Sequence, residues 1–341
     1  MARIAMVVTN SCAPDPRVER HARWLVEDGH EVKIYAWDRK GDNLPKESRN
    51  GYTIIREQIG SNKKLNSFTT WFRKKKFISN LRIDADLLIL NDTDTADVKF
   101  DGKRLLDIHD MAHTWPLMRG NSFIHRIASR KMTKQAKSII KEVDEIIVSA
   151  PGFLNWIESL GHTATVVMNR RDPVAMEKPT QKVIGYFGRI RELESMQHLF
   201  EAAELAGFKV ITAGDGLAVD EMIDKFPEVD YRGVFTEEML PDLIREISVM
   251  YAMYNPNRAN IKQGAIPTKM LDASAYGRPS IVNKDTPMGE MCEAESLGTI
   301  ATYGNIKEIA IAMENAHQIE IVNVKGNDKS TFRLVIQKLL D

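Results

Sequence analysis

The chain has 341 residues, 43% hydrophobic and 28% charged, with 47 basic and 47 acidic side chains. That length exceeds what one core usually fills, so two domains of roughly 150 to 170 residues are expected. The composition is that of a globular protein, and no apolar run approaches the roughly 18 residues a bilayer span needs. The neutral total hides an asymmetry: residues 1–170 hold 28 Lys+Arg against 21 Asp+Glu, and the remainder 19 against 26. Attraction between the halves would use that pattern, but the basic excess is concentrated in particular helices and points outward, to an anionic surface.

In chain order, Arg3 to Val8 reads as a strand, followed by a polar loop to Pro16, an amphipathic helix from Arg17 to Asp28, Gly29, and a strand from Glu31 to Ala36. That is a βαβ unit with a parallel pair. Further strands are predicted at Tyr52 to Arg56, Asp86 to Leu90, Arg104 to Ile108, Glu145 to Ser149 and Thr165 to Met168. Helices are predicted near Asn66 to Leu81 and Phe123 to Glu142. Between Leu90 and Arg104 the chain is too short for a full crossover helix. The alternation restarts after Arg170-Arg-Asp-Pro173: strand Val183 to Phe187, helix Ser195 to Ala206, strand Lys209 to Ala213, helix Ala218 to Lys225, strand Val229 to Arg232, helix Glu237 to Glu246 and strand Ser248 to Tyr254. A final helix, Lys329 to Leu340, is expected to return to the first half. The fold class is therefore α/β, with two Rossmann-like doubly wound domains at 1–170 and 171–325 and a crossing-back helix in 326–341.

Neither first strand is followed by Gly-x-Gly-x-x-Gly, and no Walker A sequence occurs, which lowers the classical dinucleotide and ATP readings. Cys12 and Cys292 lie 280 residues apart without metal-type spacing. That suits a reducing cytosol and leaves no zinc site or disulfide scaffold expected. The first strand runs into Thr9-Asn-Ser11 without a small-residue cleavage site, so no signal peptide is read.

The segment Gly264 to Val282 reads as loop, helix, stop and strand. Pro267 fits a first helical turn, Gly277 the left-handed position after the last turn, and Pro279 forbids continuation. Pro267-Thr-Lys269 then presents free backbone N–H groups and a lysine at the end of an α/β sheet, a cradle for a diphosphate. An ordinary capped junction has the same pattern. Gly214-Asp-Gly216, after another strand, lets a ligand approach the backbone or makes a plain turn.

Several segments in order resemble one family, the retaining nucleotide-sugar glycosyltransferases of family 4, whose GT-B architecture faces two Rossmann-like domains across a cleft. They are Asp15-Pro-Arg-Val18, Leu25 to Val32, Asp107-Ile-His-Asp110, Val143 to Ser149, Val166-Val-Met-Asn169, Gly185-Tyr-Phe-Gly-Arg189, Ala213-Gly-Asp-Gly216, Tyr231-Arg-Gly-Val234 and Pro267 to Pro279. The resemblance covers most of the chain. It implies a nucleotide-sugar donor, a UDP- or GDP-sugar, held by the second domain, with no metal and no other cofactor. Gly188, Arg189, Arg191, Gly214, Pro267, Thr268 and Lys269 would surround the diphosphate, Asp272 would accept from ribose hydroxyls, and Val234 and Phe235 would cover the base. His109 and Asp110 would serve catalysis, with a satisfied buried or capping histidine as the other reading of His109. Asn10, Ser11 and Arg17 would line the acceptor side. The Asp92-Thr-Asp94 loop is read as solvated.

Three positions depart from the family pattern. Gly264 and Asp272 stand where two glutamates are usual, and Glu194 stands where a lysine is usual, so that Glu194 is expected to point away from a diphosphate. A second class of function is therefore carried beside the hexosyltransferase: a non-catalytic GT-B subunit that binds a partner transferase or an oligosaccharide. A sugar-nucleotide epimerase is a third. The acceptor hint lies in residues 63–82 and 125–141, where Leu65, Phe68, Trp71, Phe72 and Phe77 sit among lysines and arginines. Such helices lie on an anionic membrane, pointing to a lipid-linked or cell-surface glycan at the cytoplasmic face. With the aromatics in a core and the cations solvated, they are ordinary surface helices. Nothing suggests nucleic acid.

Overall fold

A computed structural model describes residues 1–60, 67–120, 122–322 and 324–341. They form two compact units, residues 1–168 with 328–341, and residues 169–327.

The first unit contains β1 (Arg3–Val8), α1 (Pro16–Glu27), β2 (Glu31–Trp37), β3 (Lys46–Arg49), β4 (Tyr52–Glu57), α2 (Ser67–Asn80), β5 (Leu87–Asn91), β6 (Lys103–Ile108), α3 (Trp115–Arg119), α4 (Phe123–Ile140), β7 (Glu145–Val148), α5 (Leu154–Glu158) and β8 (Thr165–Val166). Its sheet has the order β3-β4-β2-β1-β5-β6-β7-β8. All neighbours pair in parallel except β3 with β4. Entry into α1 is fixed by reciprocal capping: the Asp15 carboxylate accepts from Val18 N–H at 3.3 Å, while Glu19 accepts from Asp15 N–H at 2.9 Å. Between β5 and β6 only a single 3₁₀ turn, Thr93–Thr95, intervenes, as the short spacing requires.

Strand β3 was not anticipated. Arg49 pairs with Tyr52 across a two-residue loop, Asn50-Gly51, whose φ values of 50° and 82° belong to the hairpin turn that twists with its strands. Its arginine and the next strand's hold the loop after β1: Arg56 donates to the carbonyl of Ser11 at 2.8 Å and Arg49 to that of Cys12 at 3.0 Å.

The C-terminal helix, Lys329–Leu340, packs in the first unit's core. Phe332 is fully buried and stacks on His21 with ring centroids 4.3 Å apart. Arg333 donates to Asp28 at 2.7 Å, and Met168 N–H donates to Asp328 at 2.6 Å, tying both ends of the excursion into the second unit to one place.

The second unit contains β9 (Val183–Phe187), α6 (Leu193–Ala206), β10 (Lys209–Ala213), α7 (Val219–Lys225), β11 (Asp230–Tyr231), α8 (Leu240–Arg245), β12 (Val249–Tyr251), α9 (Ala259–Lys262), α10 (Thr268–Ala275), β13 (Ser280–Asn283), α11 (Pro287–Ala294), β14 (Gly298–Ala301) and α12 (Ile306–Gln318). Its sheet runs β11-β10-β9-β12-β13-β14, parallel throughout. Pro267 does not enter the first turn of α10; with ψ of 125° it is the residue just before it. Gly277 adopts φ of 70°, as a helix stop requires. Arg278, wholly buried, then donates to the carbonyls of Ile244, Tyr276 and Glu177 at 3.2, 2.9 and 2.6 Å, locking the turn into β13.

The basic helices divide between the two readings given above. Phe77 is buried and stacks on Trp37, and Lys74 donates to the carbonyl of Asp94 at 2.8 Å, so these two belong to the unit's own packing. Trp71 instead carries the ammonium groups of Lys75 and Lys131 over its ring at 4.2 and 4.7 Å. Lys63, Lys64, Leu65 and the side chain of Phe68 lie outside the described residues.

Phe332→Ala is expected to cost about 3–5 kcal/mol, the range for emptying a buried aromatic site, measured as a lowered urea midpoint. An unshifted midpoint would show that the C-terminal helix does not contribute to the first unit's core.

Candidate functional site

In open parallel sheets, ligands sit at the carboxyl ends of the strands where the winding direction reverses. The first unit reverses between β1 and β5, and the second between β9 and β12. A cavity opens at each reversal.

The first cavity, of 270 Å³, is lined by Thr9, Asn10, Asp92, Asp94, His109 and Trp115 among others. Beneath it lies Asp107, buried and met by three nitrogen-bearing side chains: Arg17 Nε at 3.0 Å, His21 Nδ1 at 3.0 Å and His109 Nε2 at 3.2 Å. Burial opposes the charge of Asp107, yet Arg17 and His109 hold its carboxyl well below the usual range. Burial also opposes a charged His109, but Asp107 and Asp92 outweigh it and raise the imidazole to about 9. His21 goes the other way, to about 4, because burial and then Arg17 disfavour its charge. The first cavity thus has in its wall an imidazole whose protonated form is favoured by the acids around it.

The expected residues divide here. Asn10 and His109 line the cavity. Arg17 is buried, spent on Asp107 and on the carbonyl of Val167 at 2.7 Å. Ser11 contributes its carbonyl to Arg56, and the Asp110 carboxylate accepts from Met111 N–H at 2.9 Å and Trp115 Nε1 at 3.2 Å. The Asp92-Thr-Asp94 loop is not solvated. Asp94 is buried and accepts from the Thr9 hydroxyl, while Asp92, at φ of 64°, accepts from the His109 N–H at 2.7 Å. Burial raises Asp92 to about 7. These acids, with Arg39 and Trp115, were missed because nothing in their local spacing marks them; only the sheet order brings the loops after β1, β2, β5 and β6 together.

The second cavity, of 240 Å³, is lined by Gly188, Arg189, Arg191, Arg258, Pro267, Thr268 and Lys269, with Phe187, Tyr254, Asn260 and their neighbours. The first helical turn of α10 opens into it without a side-chain cap on its N–H groups. Lys269 is only 6% exposed, and its Nζ has no hydrogen-bond partner among the described residues. Its ammonium stands 3.2 Å over the Tyr186 ring centroid and 5.2 Å over that of Tyr254, and Arg258 lies 5.6 Å over Tyr254. Burial, then Arg258 and Arg191, push the amine well below its usual value. No carboxylate lines this cavity among the described residues. Three arginines and a desolvated lysine amine around an uncapped helix start, with no carboxylate in the described lining, make a setting that favours an anion over a cation.

The remaining expected donor residues stand elsewhere. A side chain on Gly214 would lie 1.9 Å from the carbonyl oxygen of Gly188, and one on Gly216 1.8 Å from that of Ile190. The glycines therefore let two loops of the protein meet, with Ile190 N–H donating to the Asp215 carbonyl at 2.7 Å, rather than admitting a ligand. Asp272 is held by Arg171 Nε at 2.5 Å. Val234 is exposed, and Phe235 packs edge-on against Phe187 in the unit's core, with ring centroids 6.4 Å apart. Glu194 accepts from the Tyr303 hydroxyl at 3.4 Å and does not line the cavity. Arg258 was missed because its loop, Asn255 to Ile266, has no motif.

Two parallel-sheet units of this kind, built from a single chain whose last helix rejoins the first unit, define the GT-B class of fold. The chain is similar to sucrose-phosphate synthase from Thermosynechococcus elongatus, with 14% identity and a TM-score of 0.73 over 100% of this chain and 95% of that one. It is also similar to Anabaena HepE in complex with UDP and glucose, at 16% identity and a TM-score of 0.66 over 100% and 99%. A TarM variant from S. aureus, solved with UDP, matches at 11% identity and a TM-score of 0.64 over 99% and 97%. No family model matches the sequence, and no curated protein matches it significantly.

Lys269→Met is expected to raise stability by about 1 kcal/mol, since it removes an unpaired buried cation in favour of a similar apolar volume. Urea unfolding measures this, and a loss of stability would show that the amine has a partner in the empty protein.

Proposed function

We propose that the protein is a retaining glycosyltransferase of the family 4 type, transferring a hexosyl unit from a nucleoside-diphosphate sugar to a lipid-linked or cell-surface glycan. The observation that carries this reading is the unpartnered Lys269 amine among Arg189, Arg191 and Arg258 at the open start of α10. The likeness to glycosyltransferases solved with UDP supports it. The fixed arginines and helix N–H groups stabilise the diphosphate as the C1–O bond to its terminal phosphate breaks. The acceptor hydroxyl forms the new bond to C1 on the same face and gives its proton to the departing phosphate oxygen. The absence of carboxylates from the described lining argues against an epimerase, which needs them.

Titration calorimetry with UDP, GDP, ADP and their hexose conjugates is the test. One base is expected to bind selectively, and Lys269→Ala with Arg189→Ala to weaken it about 100-fold or more, as loss of charged hydrogen-bonding partners does. If no nucleotide binds a cooperatively folding protein, the non-catalytic subunit becomes the reading.

The same reading seats the protein peripherally on the cytoplasmic face of an anionic membrane. No described helix is long and apolar enough to cross one. Helix α4 supports surface binding: Phe123, Ile124 and Ile127 are 74%, 76% and 48% exposed on its first turns, Arg130, Lys131 and Lys134 follow, and the helix contains no acidic residue. Ile124→Glu with Ile127→Glu is expected to abolish cosedimentation with phosphatidylglycerol vesicles. Undiminished cosedimentation would remove α4 from the membrane contact.

A further inference from the structure

The second cavity holds more positive charge than a neutral nucleotide-sugar needs. Such a donor brings about two negative charges, one on each phosphate, at neutral pH. Arg189, Arg191 and Arg258 are charged under all conditions, and Lys269 becomes a fourth cation once an anion lies beside it. The described lining supplies no acid to neutralise the surplus. Elsewhere in the unit arginines are paired in the ordinary way: Arg171 with Asp272 and Glu237, Arg170 with Glu295, and Arg232 with Asp230. Around the cavity the tyrosine faces of Tyr186 and Tyr254 take the place of carboxylates, holding Lys269 and Arg258 by quadrupole attraction without cancelling their charge.

The cations come from separate segments of the chain. Arg189 and Arg191 follow β9, with Lys269 near the start of α10, whereas Arg258 stands at the far end of the loop after β12, beside α9. Neutral hexoses are recognised through hydroxyl groups, which call for carboxylate or amide acceptors. Asn260 is the single side-chain amide in the described lining, and its Oδ1 already accepts from Ile261 N–H at 3.1 Å. Thr268 and Tyr254 add hydroxyl-bearing side chains, but with three arginines, a lysine and no carboxylate in the described lining, charge is what it is best equipped to read.

We propose that the transferred sugar is acidic, a hexuronic acid, and that Arg258 reads its carboxylate while Arg189, Arg191 and Lys269 take the diphosphate. The proposal rests on the donor-site reading above and narrows it. A planar guanidinium matches a carboxylate with two parallel hydrogen bonds, which a neutral CH₂OH at the same carbon does not form.

The test is calorimetric titration of the full chain with UDP, UDP-glucose and UDP-glucuronic acid, and in parallel with GDP, GDP-mannose and GDP-mannuronic acid. For one base, the hexuronate is expected to bind at least about tenfold more tightly than the hexose, a gap typical of one charged partner gained. Arg258→Ala and Arg258→Gln are each expected to bring that ratio to about one, while an unchanged urea midpoint reports that the variant is folded. A ratio near one in the unaltered protein overturns the acidic-sugar proposal and leaves the donor site standing. A tenfold ratio that survives both substitutions removes Arg258 as the reader. Failure of every nucleotide to bind overturns the donor site itself, and the proposal with it.

Discussion

The second unit is organised around an electrostatic debt: a buried lysine amine with no hydrogen-bond partner among the described residues, whose charge is disfavoured by burial and by the arginines beside it. A folded chain retains such an arrangement only where the surrounding packing overrules it. The sheet reverses between β9 and β12, which forces the loops after those strands to share one opening, and α10 starts in it. The glycines at 214 and 216 then bring a second loop against Gly188 and Ile190 so closely that the Arg189–Arg191 segment has one course to follow. Two tyrosine faces hold the cations in register without neutralising them. The cost of that arrangement is the reservoir from which anion binding draws its strength.

The first unit makes the opposite choice with the same topology. Asp107 at the end of β6 is met by Arg17 from α1, by His21 one turn further on and by His109 in the next loop. Charge there is compensated on the spot, and the imidazole of His109 is left protonated by Asp107 and Asp92 together. A closed ionic base positions a cavity wall and does not itself call for an anion. One reversal point therefore serves as a charge trap and the other as a charge-balanced polar pocket, even though the net charges of the two halves of the sequence have the reverse signs. Net charge per half describes the outer surfaces, such as the acid-free face of α4, and says nothing about the cavities.

Most strands and helices were legible because each is short, apolar in the right period and bounded by its own punctuation: Gly29 between α1 and β2, and Gly277-Arg-Pro279 between α10 and β13. Strands β3 and β14 and helices α3, α5, α9, α11 and α12 were not read; β3, Lys-Glu-Ser-Arg, has no apolar residue, and its existence is written instead in Asn50-Gly51, a turn signal that outweighs composition. Of the site, Gly188, Arg189, Arg191, Pro267, Thr268 and Lys269 were readable because they stand within a few residues of a strand end or helix start. Arg258, Asp92, Arg39 and Trp115 were not, since their meeting depends on which strands are neighbours. Arg17 and Asp272 were misplaced for one reason: a sequence shows that a residue is charged but not that a partner 90 or 101 positions away will claim it.

That distinction orders the charged residues by what they do. Arg278, as buried as Lys269, gives its guanidinium to backbone carbonyls and is finished as a structural bolt. Arg17, equally hidden, is finished against Asp107. Both satisfy the rule that buried cations are paired, and neither has anything left for a ligand. Lys269 breaks the rule in a cavity open to solvent, beside arginines for which no acid is provided. A buried charge carries functional meaning to the extent that the fold declines to satisfy it, and it is on that measure that the proposed donor site is placed at the start of α10.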